Sequence, residues 1–86
     1  MSNSHMAKRP YPFRKLARKL RREFGILCDK GRGKGSERMF YKPREPGTKK
    51  GPQHTIKCHG EGDEISILVI KAILERFGIP PEEFWD

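Results

Sequence analysis

The chain has 86 residues, with 19 Lys/Arg against 11 Asp/Glu, a formal charge of +8 and a pI near 9.9. A chain of this length reads as one small domain whose core is only about two layers thick, which excludes a large enclosed substrate cavity. No run reaches the ~18 to 20 apolar residues of a membrane span, and two cysteines are too few for a disulfide scaffold.

Residues 1–6, Met1-Ser2-Asn3-Ser4-His5-Met6, read as an expression tag. They have no basic n-region and no apolar h-region, so they are no signal peptide. Residues 7–86 are then the single domain. The lack of a targeting segment and the low thiol count point to a cytoplasmic setting.

Pro12 sits where a first helical turn tolerates proline, and Gly25 where a helix stops. Between them Phe13, Leu16, Ala17, Leu20 and Phe24 form one amphipathic stripe. Arg14, Arg18 and Arg22 stack at i, i+4, as do Lys15 and Lys19. Like charges at that spacing destabilise an isolated helix. Either core packing overrides the repulsion or an anion relieves it; a plain solvated face is the other reading.

Three short strands follow: Ile26–Lys30, Met39–Tyr41 and His54–His59. The glycine-rich loop Gly31–Ser36 separates the first two. Arg44–Gln53 is turn chemistry. A second helix starts at a cap on Asp63 or Ser66 and carries Ile67, Ile70, Ile73, Leu74 and Phe77 to a stop at Gly78. Leu68, Val69 and Ala72 widen its apolar surface, which predicts deep burial or a face shared with a partner. Phe84 and Trp85 in the final turn are expected to pack on this helix, with a docking patch as the alternative. The predicted architecture is an α+β, double-stranded-RNA-binding-domain-like α-β-β-β-α sandwich. Its three-stranded antiparallel sheet has helices on one face and solvent on the other.

Charge is segregated along the chain: residues 1–50 hold 16 Lys/Arg and 4 Asp/Glu, residues 51–86 hold 3 and 7. Such a basic excess points to nucleic acid or an acidic partner. Alternation turns Ile56 and Cys58 inward, and Thr55, Lys57 and His59 outward. In the second strand it allows Met39 and Tyr41 to face in. The opposite phase would bury Arg38 and Lys42 with Phe40, at greater cost. The expected RNA platform is therefore Arg38, Lys42, Lys57 and His59 around an exposed Phe40, suited to phosphate pairing and base stacking; Phe40 as a satellite core residue under the long loop is the other reading. Arg32, Lys34 and Ser36 in the glycine loop are candidate further phosphate donors; a plain hairpin loop is the other reading. The loop is no Walker A motif, because Lys34 is followed by Gly35.

His54, Cys58 and His59 do not share a face, and no C-x-x-C pair exists, so no metal or other cofactor is expected. Cys28 and Cys58 read as core thiols. Metal-free RNA cleavage requires a base and an acid near neutrality. His59, at a strand end on the basic face, is the better of the two available histidines.

Gly33-Lys34-Gly35-Ser36-Glu37-Arg38-Met39-Phe40, Lys57-Cys58-His59, Asp63-Glu64-Ile65 and Lys71-Ala72-Ile73-Leu74-Glu75-Arg76-Phe77-Gly78-Ile79 resemble the HicA (YcfA-like) toxin family over about residues 12 to 84. The resemblance implies a double-stranded-RNA-binding-like fold and an mRNA interferase, a metal-independent endoribonuclease of a toxin–antitoxin pair, neutralised by a HicB-like antitoxin. The family's catalytic histidine closes a G-S-x-H motif. Arg38 occupies that position here, after Glu37. Arginine is never deprotonated in proteins, which leaves Glu37 and His59 as the candidates for catalysis. The expectation is an RNA-binding HicA-like protein. An active ribonuclease, a catalytically silent RNA-binding module and a protein-interaction domain are its three forms.

Overall fold

The protein is described here by a computed structural model covering residues 8–29, 36–48 and 50–85. Residues 1–7, which include the segment read as a tag, and the loop residues 30–35, which carry Arg32 and Lys34, lie outside the described residues. The elements run β1 (Tyr11–Pro12), α1 (Phe13–Phe24), β2 (Leu27–Asp29), β3 (Glu37–Tyr41), β4 (Gln53–Lys57), β5 (Glu64–Ile65), α2 (Ile67–Phe77) and α3 (Pro81–Phe84).

Helix α1 follows the apolar stripe: Phe13, Leu16 and Leu20 are buried. Pro12 is its N-cap and offers no side-chain cap. Backbone carbonyls take that role. The Phe13 N–H donates to the Asp63 carbonyl at 2.8 Å and the Arg14 N–H to the Glu61 carbonyl at 2.9 Å. Pro12 itself has no N–H, so two of the three orphan donors of the first turn are thereby satisfied. Gly25 ends the helix with a left-handed φ of 70°, and the Ile26 N–H returns to the Leu20 carbonyl at 3.0 Å. Of the two candidate caps for α2, Ser66 is the one used: its Oγ accepts the Val69 N–H at 3.2 Å. Gly78 closes α2 as Gly25 closes α1, with φ 73°.

Strands β2, β3 and β4 form an antiparallel meander in that order. Cys28 pairs with Phe40, and Phe40 with His54; Arg38 pairs with Ile56 and Glu37 with Lys57. Helix α1 lies against β2 and α2 against β4. Arg76 ties α2 to the sheet by donating its Nε–H to the Gln53 carbonyl at 2.8 Å. In the loop joining β3 to β4, Gly51 has φ 137°, and a Cβ there would run into the Lys42 carbonyl oxygen. Only glycine serves at that close approach.

The register reverses the expected face of β3. Phe40 is fully buried at 0% exposure and packs in the core with Phe13, Leu16, Ile56 and Ile70. Met39 turns to the opposite face and is outside that cluster. The phase thought too costly is the one adopted, and local contacts offset part of its cost. Arg38, at 8% exposure, lays its guanidinium 5.6 Å from the centre of the Phe13 ring and donates from Nη1 to the Glu37 carbonyl at 3.2 Å. Cation–π attraction offsets part of its desolvation. Lys42 lies just past the strand end and stays exposed, so it incurs no burial cost.

A second, two-stranded sheet was not expected. Tyr11 pairs with Ile65 and Pro12 with Glu64. It brings the Asp63-Glu64-Ile65 segment beside the start of α1. The C-terminal aromatics are core, as expected, but their main ring partners lie on β1 and α1. Phe84 lies 5.2 Å from Tyr11 and 6.3 Å from Phe24, and meets Trp85 edge-on at 5.2 Å. The Trp85 Nε1–H donates to the Arg9 carbonyl at 2.9 Å. No disulfide joins Cys28 to Cys58, and the buried Cys58 thiol donates to the Gly60 carbonyl at 2.9 Å.

Candidate nucleic-acid interface

The outward face of the sheet does not assemble the expected cationic platform. With Arg38 and Phe40 turned inward, that face carries Leu27 and Asp29 on β2, Glu37, Met39 and Tyr41 on β3, and Gln53, Thr55 and Lys57 on β4. Lys57 is its only cation among the described residues, and it stands opposite Glu37 in register. Phe40 has no surface on which a base could stack. Lys42 and His59 are exposed. Ser36 is half-buried and its carbonyl accepts the Cys58 N–H at 2.6 Å.

The positive surface lies on α1 instead. Burying Phe13, Leu16 and Leu20 turns Arg14, Lys15, Arg18, Arg21 and Arg22 to solvent. Lys19 is partly held back, 3.5 Å from Glu23 and 5.3 Å from the centre of the Phe84 ring. No acidic residue stands in the first turn to balance these charges. The helix persists against its own i, i+4 repulsion because its apolar stripe is buried and its first N–H groups are capped by the 61–63 carbonyls. An anion on this face would relieve that repulsion. Two clefts flank the crest. One of about 270 Å³ is lined by Arg14, Ala17, Arg18, Arg21 and Cys28. The other, of about 490 Å³, lies among Tyr11, Lys15, Arg18, Lys19, Arg22 and Glu23. Arg18 lines both. The signal for this surface was in the sequence, as the stacked Arg14, Arg18 and Arg22.

The candidate catalytic residues lie at the ends of neighbouring strands, Glu37 at the start of β3 and His59 past the end of β4. Glu37 is half-exposed beside Lys57, and His59 is exposed just past the end of β4. The His59 backbone N–H is bonded to Asp63 Oδ2 at 3.2 Å, which holds the turn after β4. Among the described residues no group of three or more His, Cys, Asp or Glu side chains could hold a metal. No described helix is long and apolar enough to cross a membrane.

His54 behaves differently from a solvated histidine. Burial pushes its pKa below the usual 6.5, and the nearby Arg76 guanidinium lowers it further. The folded state therefore disfavours the imidazolium. Its contribution to stability is complete above about pH 6.5 and is lost as the pH falls from there through the lowered folded value. Thermal melts from pH 7.5 to pH 5 should show a fall in Tm that His54→Gln reduces; an identical fall in the variant would assign the effect to other groups.

No family model matches this chain. Neither does any curated protein or solved structure. The α2 surface completes the description. Leu68 is 77% exposed, with Val69 and Ala72 also exposed beside it. Together with Thr55, Lys57 and Ile65 they border an open groove of about 480 Å³ between β4 and α2. Of the two readings offered by the wide apolar surface of α2, deep burial is therefore excluded for these three residues.

Proposed function

We propose that this protein is an RNA-binding module that grips the phosphate backbone through the cationic face of α1. In this reading it has the double-stranded-RNA-binding-like fold and belongs to the HicA-like toxin–antitoxin type of protein that its motifs resemble. The single observation that carries the proposal is the exposed set of Arg14, Lys15, Arg18, Arg21 and Arg22 on one helix with no acid in its first turn. Polyanion binding by such a surface releases counterions and is steeply salt-dependent. mRNA is the ligand that the resemblance implies.

The reading is of binding rather than cleavage. At the position of the family's histidine stands Arg38, a group that carries no exchangeable base and is turned onto Phe13. Glu37 and His59 are the residues left for catalysis. An amide-resolved titration with an unlabelled mRNA fragment at low ionic strength tests both parts. Shifts should centre on α1, weaken as salt rises, and leave the RNA intact. Unmoved α1 amides would overturn the binding surface. RNA decay that His59→Ala abolishes would restore the ribonuclease.

A protein partner of the HicB-like antitoxin type is a second reading, favoured by the exposed Leu68, Val69 and Ala72 beside the β4–α2 groove. Exposed apolar side chains grouped along a groove suit a partner segment. Leu68→Glu should abolish association with a HicB-like protein while leaving RNA affinity unchanged. Unaltered association would remove α2 from that interface.

A further inference from the structure

The two clefts beside α1 are not equivalent. The smaller holds Arg14, Arg18 and Arg21 beside Ala17 and Cys28. The larger, of about 490 Å³, gathers Lys15, Arg18, Lys19 and Arg22. These four stand at i, i+3, i+4 and i+7, neighbours on one strip of the helix. They fall within about 10 Å along its axis. Glu23 also lines this cleft and lies 3.5 Å from Lys19. Four cations against one carboxylate leave the cleft a formal charge of +3.

The other wall of the larger cleft is aromatic and fixed. Tyr11 on β1 is half-buried, its ring 5.2 Å from Phe84 and 5.4 Å from the Arg9 guanidinium. The Lys19 ammonium is drawn to the same wall, 5.3 Å from the centre of the Phe84 ring. Charge of one sign beside a low-dielectric wall focuses the field into a cleft. No aromatic residue is exposed among the described residues, so nothing beside this cleft stacks a base. Recognition therefore falls on charge concentrated at one point. An RNA strand spreads its charge, one per internal phosphodiester. A terminal phosphate carries about −1.5 to −2, and a triphosphate sets further ionised phosphoryl groups directly beside it.

We propose that this cleft binds a triphosphate group, the chemistry shared by free nucleoside triphosphates and the 5′ end of an unprocessed RNA. Arg18 and Arg22 offer guanidinium forks to its oxygens, and Lys15 and Lys19 offer point charges. Glu23 sets a threshold. A singly charged diester gains little beside that carboxylate, whereas a triphosphate outcompetes it for Lys19. The RNA form of the proposal rests on the RNA-binding reading above and adds an end preference to it. The affinity of the cleft for the free group does not depend on that reading.

The test uses the full chain at low ionic strength and follows its backbone amides. Inorganic tripolyphosphate should shift Tyr11, Lys15, Lys19 and Arg22 and leave Cys28, in the smaller cleft, unmoved. Lys15→Ala with Arg22→Ala should weaken its binding by about ten-fold or more, and Glu23→Gln should strengthen it. All three residues are exposed, so circular dichroism of the variants should match the parent chain. A 5′-triphosphate oligouridylate, its 5′-hydroxyl counterpart and ATP then separate the sources. A triphosphate strand that binds about ten-fold tighter than both others assigns the RNA end. ATP that binds as tightly as that strand assigns the free nucleotide. No response to tripolyphosphate, equal shifts around both clefts, or undiminished binding by the double variant overturns the site and leaves the RNA reading standing. Tripolyphosphate binding with no affinity for either strand keeps the site and overturns the RNA reading.

Discussion

Replacing Phe40 with alanine should cost about 3–5 kcal/mol of folding free energy. The ring is fully buried, 5.9 Å from the centre of Phe13, and is in the cluster that joins both helices to the sheet. Nothing on the outer face can move in to fill the space, because strand alternation points its neighbours Met39 and Tyr41 the other way. A small domain has about 5–15 kcal/mol in all, so the variant should be close to unfolding at room temperature. Urea denaturation followed by near-ultraviolet circular dichroism measures the loss. A cost under about 1 kcal/mol would mean the ring is at the surface and the sheet has the opposite phase. The experiment therefore separates a core phenylalanine from a base-stacking one.

Arg18→Glu carries the second large effect. Arg18 is exposed on the crest of α1 and borders both clefts, so reversing its charge changes the local field on both flanks. RNA affinity at low salt should fall by about ten-fold or more, and the slope of log affinity against log salt should become shallower by about one. The same change places a carboxylate four residues from Arg14 and from Arg22, where it replaces two repulsions by two attractions. Helix stability should hold or rise by a few tenths of a kcal/mol. Lost binding with retained stability is the signature of a contact residue. Lost binding with a lowered Tm would indicate damage to the fold, and unchanged affinity would take α1 out of the interface.

Helices α1 and α2 were legible in the sequence because each has an apolar stripe of full helical period and a glycine that closes it. Gly25 and Gly78 hold the left-handed conformation that their positions suggested. The face of β3 was not legible. Arg38, Met39 and Phe40 are all buried, so burial gives no alternation from which to read a phase. The choice then rested on the cost of burying Arg38 and Lys42. Sequence shows neither the Phe13 ring that comes to lie under Arg38 nor the strand end that leaves Lys42 in solvent. The β1–β5 pair was invisible for a simpler reason: two residues per strand have no period. The candidate interface was half legible. The stacked arginines of α1 stood in the sequence, but the misassigned face drew the RNA platform onto the sheet. Once Phe40 is inside, the helix is the cationic surface left among the described residues with more than scattered charges.

The hydrogen bond from Trp85 to Arg9 has a practical consequence. The chain contains one tryptophan, and at 4% exposure its indole is dry on most sides and tethered to residues that precede the first strand. It is a built-in fluorophore spanning the two extremities of the fold. Its emission should be blue while both are docked and should redden when either lets go, so fraying at the ends can be watched without attaching a dye.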